Sequence, residues 1–83
     1  MNMVNRDDVI KLIKDSNIDI DVDNVDPTKS LTEQGADSLD MINILFGIEE
    51  IHHIKIPEES IEQGNWMSID NMVANLNKLL LKQ

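Results

Sequence analysis

The chain has no cysteine, which removes disulfides and thiolate metal sites. Any thiol chemistry here needs sulfur from a group attached to the protein. Basic residues are scarce: 7 lysines and arginines stand against 16 aspartates and glutamates, a formal charge of −9. So negative a surface disfavours nucleic acid and anionic membranes and selects basic protein surfaces as partners. No window approaches the roughly 18 apolar residues of a membrane span. The opening MNMVNRDDVI has neither the basic nor the apolar segment of a secretory signal. Internal repeats and low-complexity tracts are missing too. A soluble, cytoplasmic, monomeric protein is expected. Its 83 residues give one domain, residues 1–83, with a single small core and no room for a large catalytic cleft.

Apolar periodicity accounts for most of what is present. Asn5 can cap a first helix, with Asp8 three residues on and Val4 and Val9 set to pack as a hydrophobic staple. Val9, Ile10, Leu12 and Ile13 carry its stripe to about Asp15. The stretch IDIDVDNVDP alternates like a strand, but no other segment offers a partner strand. It reads instead as an extended loop clipped to the helices by Ile18, Ile20, Val22 and Val25, with a short helical turn near TKSLTEQG. After Gly35, Leu39, Ile42 and Phe46 share one face, while Met41, Ile44, Leu45, Ile48 and Ile51 wrap around another. An arc that wide suits the central helix of a bundle, touched from more than one side. Gly47 within it costs about 1 kcal/mol relative to alanine and is expected to leave room for a close neighbour.

Pro57 stands at a first helical position with two acids behind it, opening a short helix that Gly64 stops. Ser68 then caps a last helix with Met67 and Met72 in staple positions. Its stripe is Ile69, Met72, Val73, Leu76, Leu79 and Leu80. The fold class is all-α: a small four-helix bundle of three main helices and one short one, with a long loop between helices one and two.

At the start of the central helix a serine is wedged between acids, Asp37-Ser38-Leu39-Asp40. Asp37 or Ser38 is a natural cap, and capping alone explains the pair. A helix N-terminus also offers unpaired N–H groups and a partial positive charge that favour phosphate. A serine hydroxyl there is a plausible attachment point for a phosphorylated group. The flanking Asp37 and Asp40 oppose an added anion and read better as docking charges for a basic modifying enzyme.

GADSLD, an apolar helix, the pair Glu49-Glu50, IKIPEE and a final amphipathic helix follow in an order that resembles an acyl carrier protein over nearly the whole chain. The resemblance implies that Ser38 carries 4′-phosphopantetheine, transferred from coenzyme A by a magnesium-dependent phosphopantetheinyl transferase. The prosthetic thiol would then hold acyl groups as thioesters for fatty-acid, polyketide or related acyl-transfer enzymes, with no catalytic residue in the carrier itself. Asp37, Asp40, Glu49 and Glu50, with Leu39 among them, would dock basic partner surfaces. Ile42, Phe46, Ile61 and Val73 would part to shelter an acyl chain, their plain alternative being bundle core. Asn43 and Ile51 stand where the family usually has acids, Gly47 where alanine is common, and His52 where an aromatic residue often packs. These departures suggest a specialised carrier. Trp66 before the last helix is faintly similar to D-alanine carrier proteins, so an aminoacyl cargo is the second reading. Ala36-Asp37 is the acyl-carrier form, and Trp66 reads as a bundle-end packing residue.

Three other constellations compete. Asp19, Asp21 and Asp23 have the spacing that opens a calcium loop, but Asn24 stands where glycine is needed and Ser30 where the bidentate glutamate belongs. No specific metal site is expected. Ser38 could in principle meet His52 or His53 as a hydrolase pair, yet fourteen residues of continuous helix span about 21 Å. The histidines suit a helix C-terminus instead. An acidic helical adaptor with Ser38 as a mere cap is the last rival, and it requires the serine to matter for stability.

Overall fold

A computed structural model describes residues 3–16, 18 and 20–82. Among them lie four helices, α1 (Arg6–Asp15), α2 (Ser38–His52), α3 (Glu58–Glu62) and α4 (Ile69–Leu81), a 3-10 turn at Leu31–Gln34, and no strand.

Each long helix starts at a side-chain cap. Asn5 Oδ1 accepts the Asp8 N–H at 3.0 Å while Asp8 Oδ2 accepts the Asn5 N–H at 3.0 Å. Asp37 and Asp40 repeat this reciprocal pair on α2, and Ser68 Oγ accepts the Asn71 N–H on α4. Such a cap is worth about 1 kcal/mol. The short helix starts one residue later than the sequence predicts. Pro57 is its N-cap, with ψ 129 in the extended region, and none of the five residues from Glu58 is buried. Gly64, at φ 75, turns the chain away after it.

α1 packs on α4 and α2. Their inward residues, including Val9, Leu12 and Ile13 of α1, Ile44 and Ile48 of α2, and Ile69, Met72 and Leu76 of α4, form one buried cluster. Leu31, Ala36, Ile56 and Trp66 close it. Trp66 is 2% exposed and donates its Nε1–H to Ser60 Oγ at 2.8 Å, a packing residue tied to α3.

Two polar clasps hold α1 and the residues just before it to α4. The Val4 N–H donates to Asn77 Oδ1 and the Asn77 Nδ2 returns a bond to the Val4 carbonyl. Arg6 makes a bidentate pair with Asp70 at 2.7 and 2.8 Å, which raises the guanidinium pKa further above its already high value. The long loop is fastened as well. Ile18, Ile20, Val22 and Val25 pack against the core, the Asp70 N–H donates to the Pro27 carbonyl, and the Gln34 amide bridges both backbone groups of Asp26. The Thr28 hydroxyl and N–H hold the Asp26 carboxyl below its ordinary range.

α2 is touched from more than one side, by α1 and by the 3-10 turn, while Leu39, Ile42, Phe46 and Ile51 on the rest of its arc are exposed. Gly47 does face a neighbour, Leu12, but a Cβ built there would lie 3.5 Å from Leu12 Cδ2, an ordinary contact. No close approach demands the glycine.

Candidate functional site

The capping work at the start of α2 falls entirely on the two aspartates. Asp37 Oδ1 accepts the Asp40 N–H at 2.8 Å, and Asp40 Oδ2 accepts the Asp37 N–H at 3.1 Å. Ser38 is therefore the first helical residue and not the cap. It is exposed, and among the described residues its hydroxyl has no hydrogen-bond partner. The N–H groups of Ser38 and Leu39 lie in the first turn, where no intrahelical acceptor exists. An accessible hydroxyl without structural duty, beside unpaired N–H groups at the positive end of a helix, fits an esterified phosphate.

Directly along the same face the helix becomes apolar. Leu39 is 65%, Ile42 45% and Phe46 62% exposed, a spacing that stacks them on one stripe. At 1.5 Å per residue, Ile42 begins about 6 Å and Phe46 about 12 Å beyond Ser38. Ile42, Leu45, Phe46, Glu49, Ile56 and Ile61 line a groove of about 240 Å³ between α2 and α3. Of the four residues proposed from sequence for an acyl pocket, Ile42, Phe46 and Ile61 meet here and are exposed, not bundle core. Val73 does not join them; it lies half-buried on α4 against the core. Leu45 and Ile56, both buried, are lining residues that sequence reasoning did not assign. The signal for Ile56 was an isoleucine held between Lys55 and Pro57 at the mouth of the short helix.

The acids divide. Asp37 and Glu50 are exposed. Glu49 is half-buried and turned toward its own chain: its Oε2 accepts the Ile56 N–H at 2.8 Å. Its carboxylate therefore has a structural duty within the chain.

The rival sites separate in space. α2 runs unbroken from Ser38 to His52, so serine and histidines stand at opposite ends. His53 caps the helix in the left-handed region, φ 54 and ψ 44. Asp21 spends its carboxylate on the Asp23 N–H and the Asn24 side chain, while Asp19 lies outside the described residues. Among the described residues no three acidic or histidine side chains gather as metal ligands, and no helix is long and apolar enough to cross a membrane.

No solved structure matches the chain. A family model does, described as the phosphopantetheine attachment site, and it covers residues 8–76. That span runs from the first turn of α1 into α4 and takes in both the free serine and the groove. The chain belongs to the phosphopantetheine attachment family, carriers rather than catalysts, which hold 4′-phosphopantetheine covalently.

Proposed function

We propose that this protein is an acyl carrier whose Ser38 bears the prosthetic group, acting as a single-domain, monomeric shuttle in the cytoplasm. The observation that carries the reading is the exposed Ser38 hydroxyl, released from capping by Asp37 and opening onto the apolar stripe of α2. When bound, 4′-phosphopantetheine supplies a terminal thiol that holds an acyl group as a thioester. Ser38 Oγ anchors it, and the unpaired N–H groups of the first turn favour the phosphate charge. Ile42, Phe46 and Ile61, with Leu45 and Ile56 beneath, offer an aliphatic chain a site away from water. Asp37, Asp40 and Glu50, with Leu39 between them, present charge and an apolar anchor to basic partner surfaces, among them a phosphopantetheinyl transferase.

The adaptor reading needed Ser38 as a cap, and Asp37 holds that place. An aminoacyl carrier stays the second reading, because buried Trp66, bonded to Ser60, favours neither cargo. Incubation with coenzyme A, magnesium and a phosphopantetheinyl transferase is expected to add one phosphopantetheine by intact mass. Ser38→Ala should add none while keeping its stability within about 0.5 kcal/mol. An unmodified wild type, with its fold intact and a cognate transferase tried, sinks the reading.

The exposed face of α2 also carries uncharged Asn43 and Ile51, so the partner set is specialised. A purified fatty-acid synthase should use this protein less well than its own carrier; equal use would count against that specialisation.

A further inference from the structure

We infer that Glu49 sets the depth of the apolar groove, by fastening the wall that faces α2; this rests on the carrier reading above. The groove has one rigid side and one slight one. α2 is anchored through its buried residues, whereas α3 has five residues and buries none. Ile56 is seated in the shared core, and something beyond that seat and helix packing must hold the segment on to Ile61.

Two side-chain bonds do so. At one end Glu49 Oε2 accepts the Ile56 N–H at 2.8 Å. At the other, Ser60 Oγ accepts from the indole of buried Trp66. The segment from Ile56 to Ile61 is thus a strap tied at two points, and Glu49, itself a lining residue, is the tie inside the cargo site. Ile56 is 3% exposed, so its N–H is out of reach of bulk water and depends on that carboxylate. With the tie made, Ile56 is the groove floor. With it broken, Ile56 can move away from α2 and the groove deepens toward the core. Glu49 therefore limits the length of chain that is sheltered. It is a positioning residue, distinct in duty from exposed Glu50 one residue on.

The test uses the full chain as wild type, Glu49→Ala, Glu49→Gln and, as a control for lost charge, Glu62→Gln on exposed Glu62. In the unloaded proteins, the Ile56 amide should exchange with solvent about tenfold faster in Glu49→Ala, and near the wild-type rate in Glu49→Gln and Glu62→Gln. Each protein is then loaded with straight-chain acyl groups of increasing length, and thioester cleavage by hydroxylamine is timed. Protection in the wild type should level off at a shorter chain than in Glu49→Ala, with Glu49→Gln following the wild type because it keeps a carbonyl oxygen in place. Unchanged Ile56 exchange in Glu49→Ala, or coincident length profiles, overturns the proposal. If no variant can be loaded, the carrier reading and the cargo limit fall together. Ile56 exchange, measured without cargo, then judges the tie alone.

Discussion

In the core it shares with α1 and α4, α2 buries Ile44 and Ile48 completely; on its other side Ile42 and Phe46 look into a groove whose far wall is a helix of five residues. The closed side is held by a shared core, two reciprocal capping boxes and clasps joining residues 64 and 73 positions apart. The open side is held by the seat of Ile56 in the core and by side-chain hydrogen bonds at Ile56 and Ser60. One helix thus has a face that resists change and a face that yields. Stability concentrates where burial is complete, and the capacity to take up a guest lies where it is not.

The sharpest attempt to break this contrast is a pair of truncations. Leu76→Ala, in the closed core at 1% exposure, should cost about 2–5 kcal/mol in chemical denaturation. Phe46→Ala, although it removes a larger side chain, should stay within about 0.5 kcal/mol. Similar losses would mean that the groove face carries the fold as well. Smaller is Gly47→Ala on the closed side. A methyl group meets Leu12 at ordinary distance, so the helix-propensity gain of about 1 kcal/mol should appear nearly whole as a raised denaturation midpoint. Smallest is His53→Gly at the hinge between the two sides. Relief of a left-handed non-glycine residue should add about 0.5 kcal/mol, slightly offset by a freer unfolded chain. A loss there would assign His53 a contact that outweighs its strain.

Much of the closed side was legible in the sequence because its signals are local. Asn5 with Asp8, and Ser68 with the stripe behind it, announce helix starts by spacing alone, and the lone alternating segment was readable as loop because it had no strand to pair with. The open side was harder. Periodicity says that Leu39, Ile42 and Phe46 share a face, but not whether another helix comes to cover it; coverage depends on the length of α3, and five residues do not reach far enough to bury it. The resemblance places Val73 in the pocket, yet on α4 it lies half-buried against the core, a placement that apolar character and helix membership do not reveal. The sequence reads Glu49 as a docking charge and gives no sign of its bond to Ile56, because that partner is a backbone N–H in the following loop and backbone donors leave no trace in residue identity. The split between Asp37 as cap and Ser38 as first helical residue was open for a related reason, since both types cap well and only the backbone angles decide.

That split makes position 38 rewritable. The residues that start α2 are Asp37 and Asp40, so the side chain between them can be exchanged without asking the fold for permission. Because the chain has no cysteine, Ser38→Cys would give a protein with one thiol. A fluorophore or spin label placed there would take the place of the arm at the head of the Ile42 and Phe46 stripe and report, from a single known position, whether a tethered guest enters the groove.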